Sequence, residues 1–104
     1  MSSAGESTGK VAAFVIYDRA IDEEVQEALS DCCIERFTRW HDVSGIGATG
    51  PHLGDHVWPA LNNVMMAVIE EDKVDGLLGQ VRGLQERFPF TGLRAVVVPV
   101  LAMV

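Results

Sequence analysis

Positive charge is scarce in this chain of 104 residues. Eight Lys and Arg stand against fifteen Asp and Glu, so the formal net charge is −7. Proteins that hold nucleic acid or an anionic membrane surface do so with clustered Lys and Arg. The shortage therefore argues against nucleic acid and membrane surfaces as partners.

Long apolar runs are missing as well. The longest run lies between Ala95 and Val104 and contains Pro99. It is much shorter than the roughly 20 apolar residues of a membrane-spanning helix, but it suits a buried strand. Residues 1–10 are small and polar and lack the apolar stretch of a secretory signal, so we expect a disordered tail there.

Cysteine is limited to one adjacent pair, Cys32 and Cys33. Neighbouring cysteines do not form an ordinary structural disulfide with each other. We expect one or both to pack as small apolar side chains at the end of a helix. The pair suits a reducing compartment, and the sequence therefore predicts a cytoplasmic protein.

Hydrophobic residues make up 48% of the chain, and their spacing predicts the secondary structure. It predicts four strands, with a helix after the first strand and another after the third. The strands are predicted at residues 11–17, 37–43, 63–70 and 93–104. The order βαββαβ predicts one α+β domain over residues 11–104, a ferredoxin-like sandwich. Its four-stranded antiparallel sheet would carry both helices on one face, and we expect another subunit to cover the other face.

A long loop is predicted over residues 44–62, which contain several glycines together with Pro51 and Pro59. A loop of this length in a compact domain is usually functional.

Four short segments resemble PII signalling proteins when they are taken in order. The first segment covers the first predicted helix and the strand after it, and its matching residues are Val25-Gln26-Glu27-Ala28-Leu29, Cys32-Cys33-Ile34 and Phe37-Thr38. Next come Val43-Ser44-Gly45-Ile46-Gly47, residues 64–72, and Val98-Pro99-Val100. None of these segments is specific alone, but their order and spacing match the family over residues 11–100. The chain departs from it before the last strand, where residues 87–92 replace a glycine- and lysine-containing loop.

The resemblance implies a homotrimer that binds an adenine nucleotide or another small effector in the clefts between subunits. Four residues match family positions that line the nucleotide cleft: Thr38, Gly45, Ile46 and Gly47. It also implies that the 44–62 loop acts on a protein partner such as a membrane transporter or an enzyme. The departures from the family indicate a divergent member with a different effector.

Histidines in the loop indicate an alternative function. His52, Asp55 and His56 lie within five positions, and His41 ends the preceding predicted strand. Imidazole and carboxylate are ordinary ligands of Zn and Cu, so these four residues form a candidate metal site. The protein would then be a metal-binding relative similar to the CutA-type trimers. The competing interpretation is that these are polar loop residues or hydrogen-bonded histidines.

Catalysis has little support in the sequence. A phosphate-binding P-loop pattern and a Ser-His-Asp pattern are both absent. His41 and Asp42 are neighbours in a predicted strand, so they are expected to point to opposite faces. The sequence therefore predicts that the protein is not an enzyme.

Overall fold

The structure is a computed structural model that describes residues 8–47, 50–52 and 61–104. Within these ranges the chain forms six strands and two helices. The strands are β1 Lys10–Asp18, β2 Thr38–Val43, β3 Gly45–Gly47, β4 Gly50–His52, β5 Asn62–Glu70 and β6 Arg94–Pro99. The helices are α1 Asp22–Asp31 and α2 Val74–Arg87, each entered through a short 3-10 turn.

The main sheet has four antiparallel strands in the order β2-β5-β1-β6. The central pair, β1 and β5, is aligned along its whole length from Lys10 opposite Glu70 to Asp18 opposite Asn62. Both helices pack on the same face of this sheet. The predicted ferredoxin-like α+β fold is therefore confirmed.

The core lies between the sheet and the helices, although the central strands are apolar on both faces. Alternate residues of β1 and β5 are buried, and the residues between them are only half-buried. The helix face contributes Val11, Ala13, Val15, Tyr17, Met65, Ala67 and Ile69 to the core. The helices contribute Val25, Ala28 and Leu29 from α1 and Leu77, Val81 and Leu84 from α2.

Helix α1 begins and ends with recognisable local signals. The Asp18 side chain caps the 3-10 turn before α1 by accepting a hydrogen bond from the Ala20 N–H at 2.9 Å, and three acids in the first turn of α1 interact favourably with the helix dipole. After the helix, Cys33 has a φ of 59°, the left-handed conformation that favours glycine. Cys32 packs against the core and Cys33 is exposed, and both thiols are free, as predicted.

Two elements differ from the sequence-based expectation. Strand β6 ends at Pro99, opposite Val11, instead of continuing to residue 104, although the Val100 N–H still donates to the Lys10 carbonyl at 3.1 Å. The predicted loop contains a two-stranded ribbon in which β3 pairs with β4. Strands of three residues are too short to show a period in the sequence.

Neither helix in the described part of the chain has the length and apolarity required to cross a bilayer.

Candidate functional site

An open groove beside the start of β2 is the first candidate site. Its volume is about 480 Å³. It is lined by Lys10, Arg36, Phe37, Thr38, Met66, Ala67, Val68 and Met103. A second groove of about 250 Å³ shares Lys10, Arg36 and Val68 with the first and is also lined by Cys33, Glu35 and Lys73. We refer to the two together as the Thr38 groove.

Three of the eight basic residues of this acidic protein line the Thr38 groove. Lys10 forms an ion pair with Glu70 at 3.4 Å, and Lys73 Nζ donates a hydrogen bond to the Cys33 carbonyl at 3.0 Å. Arg36 has no ion-pair partner among the described residues. A cluster of cations in a concave surface attracts anions. The groove therefore combines three basic side chains and two acidic ones, Glu35 and Glu70, with an apolar wall.

The predicted cleft residues lie at the two ends of β2. Thr38 is the first residue of the strand, is exposed and lines the groove. Gly45, Ile46 and Gly47 form β3, which follows the other end of β2 and pairs with β4. Within one copy of the chain, Thr38 therefore lines the groove, whereas Gly45, Ile46 and Gly47 lie in the two-stranded ribbon of β3 and β4.

The predicted metal ligands are only partly within the described residues. His52 ends β4, with its backbone opposite Gly45, and Asp55 and His56 lie outside the described residues. His41 is exposed, and its Nε2 accepts a hydrogen bond from Arg39 Nε at 3.0 Å. The described ranges contain no group of three His, Cys, Asp or Glu side chains that could hold a metal ion. The metal site remains a prediction.

A polar network at the other end of the sheet was not predicted, and Asp22 is at its centre. Oδ1 of Asp22 accepts hydrogen bonds from the Tyr17 hydroxyl at 2.5 Å and from Asn63 Nδ2 at 3.0 Å. Oδ2 accepts from Gln26 Nε2 at 2.7 Å and from Arg39 Nη1 at 3.0 Å. The network thus joins β1, β2 and β5 to the start of α1.

The network shifts the pKa values of its two acidic groups, Asp22 and Tyr17, in opposite directions. Burial by itself raises the pKa of Asp22, but hydrogen bonds from Tyr17, Asn63 and Gln26 and the charge of Arg39 outweigh it, so this pKa lies below its usual value. Burial raises the pKa of Tyr17, and the hydrogen bond to Asp22 and its charge raise it further. Asp22 is therefore held as a carboxylate and Tyr17 as a neutral phenol.

The same network reaches the base of the predicted loop. Asn63 Oδ1 accepts a hydrogen bond from the Asp42 N–H at 3.0 Å. Asp42 Oδ1 pairs with Arg19 Nη1 at 3.0 Å, and the Arg19 N–H donates to the Leu61 carbonyl at 2.9 Å. Residues on both sides of segment 43–60 are therefore held by neighbouring hydrogen bonds.

His41 and Asp42 were expected to lie in a regular strand, and the structure shows an irregular one there. The register between β2 and β5 shifts after Trp40, and Asp42 has a φ of 55°. This bulge interrupts the alternation of side chains, and both His41 and Asp42 are exposed.

One sequence signal could have revealed the network. Asn63 begins the apolar run NVMMAVIE, and it is the one buried polar side chain in the described part of the chain, with 2% of its surface exposed. A buried amide must find hydrogen-bond partners, and this requirement predicts a polar network although it does not identify the partners.

The chain is similar to several solved structures, although no protein-family model and no curated protein sequence matches it. One is CPII, a nitrogen regulatory PII-like protein from Thiomonas intermedia K12, bound to ADP, AMP and bicarbonate. The TM-score is 0.70 at 20% identity, with 88% of this chain and 91% of that chain covered.

Two further structures extend this similarity. PII of Arabidopsis thaliana, bound to citrate, matches with a TM-score of 0.64 at 20% identity, over 88% of this chain and 77% of that chain. A DUF3240 family protein from Shewanella baltica OS155 matches with a TM-score of 0.68 at 11% identity, over 92% of this chain and 94% of that chain. The chain thus has the fold of PII-like proteins, and the resemblance inferred from its sequence is confirmed at the level of the fold.

Proposed function

We propose that this protein is a PII-like regulator, not an enzyme, and that it senses a small anionic effector in the Thr38 groove. The groove itself is the observation that carries the proposal. Phe37, Met66 and Val68 offer an apolar wall, and Lys10 and Arg36 offer positive charge beside it. An adenine nucleotide has the matching pair of features, a flat apolar base and anionic phosphates.

The ligands of the similar proteins are consistent with an anionic effector. The CPII structure holds ADP, AMP and bicarbonate, and the Arabidopsis structure holds citrate. These ligands are anions, which the basic side chains of Lys10, Arg36 and Lys73 in the groove would attract. Adenine nucleotides and small carboxylates are therefore the first effectors to test.

The face of the main sheet opposite the two helices, which we call the open face, supports a homotrimer. Trp40, Val96 and Val98 are 46%, 47% and 39% exposed there, and Phe14 and Met66 lie between them in the sheet. A continuous apolar surface of this kind usually belongs to an interface. In the proposed trimer, the Thr38 groove at the side of the sheet becomes part of a cleft between subunits.

In this proposal the protein works in the cytoplasm and acts on a protein partner. Binding in the cleft alters the segment of residues 44–62, which engages a transporter or an enzyme. The proposed cleft residues are Thr38 together with Gly45, Ile46 and Gly47.

Native mass spectrometry of the untagged protein, alone and with ADP, AMP, citrate or bicarbonate, tests the proposal. We expect a trimer that gains the mass of at least one of these ligands. Arg36→Gln should weaken that binding about tenfold or more, because hydrogen bonds to charged groups contribute ~1.5–3 kcal/mol. Arg82→Gln, which removes an exposed cation of α2, is the matched control and should not change binding.

Three outcomes would contradict the proposal: a monomer at micromolar concentration, no binding of any of the four ligands, or equal affinity in Arg36→Gln. A trimer that carries Zn or Cu, and loses it when His52 and His56 are replaced by Ala, would support the metal-binding alternative instead.

A further inference from the structure

One buried amide connects the two sides of segment 43–60. Asn63 is 2% exposed, and both ends of its side chain are used: Oδ1 accepts from the Asp42 N–H, and Nδ2 donates to Asp22. Asp42 comes directly before the segment, and Asn63 comes shortly after it. Asp22 receives three further donors, which leave its carboxylate a single orientation.

We propose that Asn63 and Asp22 are positioning residues that set the backbone conformation of Asp42, the residue before segment 43–60. We call the hydrogen-bonded set Asp42, Asn63 and Asp22 the clamp. Asp42 is a non-glycine residue in the left-handed region, and such a conformation persists only where its surroundings enforce it. The Asn63 carbonyl enforces it, because it holds the Asp42 N–H at 3.0 Å. Asp22 in turn fixes which way the Asn63 amide points, since only the NH₂ group can face a carboxylate.

Strand β2 places this clamp next to the proposed ligand groove. Thr38 lines the groove, and Arg39, the next residue, points to the helix face and donates to Asp22 at 3.0 Å. Because Thr38 and Arg39 are adjacent in β2, we expect a ligand bound at Thr38 to influence the contact between Arg39 and the Asp22 carboxylate. This coupling rests on the proposed function, whereas the clamp itself does not.

Amide hydrogen exchange of the full chain without any ligand tests the clamp. In Asn63→Leu, we expect the Asp42 and Arg19 amides to exchange at least about tenfold faster than in the wild type, because the Asp42 N–H loses its acceptor. Gln85→Leu is the matched control, since it also removes an amide side chain that is hydrogen-bonded to the backbone. Gln85 donates to the Leu93 carbonyl at 3.0 Å. It should leave both amides as protected as in the wild type.

A second variant gives a readout that simple loss of packing would not produce. Asn63→Asp keeps the acceptor for Asp42 but turns a carboxylate toward Asp22. At neutral pH the two carboxylates repel each other, and we expect the hydrogen bond to the Asp42 N–H to be lost. In acid the two carboxyl groups share a proton, so that an O–H donor again faces Asp22 and the hydrogen bond to the Asp42 N–H is restored. The other charged or titratable groups around the site are Tyr17, Arg19, Arg39, His41 and Asp42.

The Asn63→Asp experiment follows the protection factor of the Asp42 amide, which corrects for the intrinsic pH dependence of exchange. We expect it to rise about tenfold or more between pH 7 and pH 4.5, and to stay level in the wild type. Unchanged protection in Asn63→Leu, equal loss in Gln85→Leu, or no rise in acid for Asn63→Asp would each overturn the clamp. Failure of ligand binding would overturn only the proposed function, because no ligand is present here.

Discussion

The two faces of the main sheet are formed by alternate residues of the same apolar strands. One face packs against the helices, and the other is uncovered in a single copy of the chain. On the helix face, Val15 and Met65 are opposite each other and at most 2% exposed. On the open face, one residue further along, Phe14 is opposite Met66 and Val96, and Val96 is 47% exposed. A sheet with one solvated face normally shows polar residues there. The apolar open face therefore points to a second buried surface that a single copy cannot cover.

Two groups of polar side chains in the molecule also differ. The helix face carries the polar network around Asp22, in which the donors and acceptors are matched. The Thr38 groove lies beside the start of β2, and Arg36 there has no ion-pair partner in the described part of the chain. A satisfied network stabilises a particular geometry, whereas an exposed cation without an ion-pair partner is available to an anion.

The largest effect should come from a charge on the open face. Val96→Asp places an unpaired carboxylate in the proposed interface of every subunit, and a buried charge costs several kcal/mol per ion. We expect complete dissociation of the proposed trimer in light scattering, with the unfolding free energy of the monomer changed by less than about 1 kcal/mol.

Arg82→Asp adds a carboxylate to an exposed position of α2 and serves as the control for Val96→Asp. If Val96→Asp assembles as the wild type does, the open face is not an interface. If both variants dissociate, net charge rather than the face is responsible.

A cavity on the helix face should have the next largest effect. Leu77 is 1% exposed in the core, so Leu77→Ala should lower the free energy of unfolding by about 2–5 kcal/mol in urea denaturation. Leu78→Ala on the same helix removes the same atoms from a half-buried position and should cost clearly less. Equal losses would mean that the two sides of α2 are not distinguished by burial.

Acid should weaken the polar network. Because the pKa of Asp22 lies below its usual value in the folded state, its contribution is present above the unfolded-state value of about 3.9 and is lost as the pH falls through the folded-state pKa. Asp22→Asn should cost about 1–2 kcal/mol at pH 7 and reduce the acid dependence of unfolding in urea. Asp31→Asn, at an exposed acid of α1, should change neither.

An unchanged pH profile in Asp22→Asn would mean that another carboxylate dominates the acid dependence.

The smallest effect should be a gain in stability on the outside of α2. Gly79 is exposed within the helix, and a Cβ built there meets no atom within 4 Å. Gly79→Ala should therefore raise the unfolding free energy by up to ~1 kcal/mol and increase the midpoint of thermal unfolding. A loss of stability would show that the α2 surface depends on glycine at this position.

Much of the fold could be predicted from the sequence because its signals are local. The run from Val11 to Tyr17 predicted a strand that lies at Lys10–Asp18, and the run from Asn63 to Glu70 predicted one that lies at Asn62–Glu70. The ribbon of β3 and β4 was missed because its strands are too short for a period. The Asp42 bulge was missed because a left-handed aspartate leaves no pattern in the sequence.

The Thr38 groove was anticipated only in part. Thr38 followed from the resemblance to PII proteins, but the basic side chains of Lys10, Arg36 and Lys73 are far apart in the sequence and meet only in the folded chain. No local signal connects them.

The sequence by itself determined the order of the four main-sheet strands and the two helices, the apolar character of both sheet faces and the negative charge of the chain. These properties depend on residues close together in the chain and on composition. Only the tertiary structure decided that Asp22 and Asn63, 41 positions apart, share a hydrogen bond and that Asp42 is held in a left-handed conformation. Hydrogen bonds require matched donors and acceptors within about 3 Å, a condition that only the packing of β1, β2, β5 and α1 can meet.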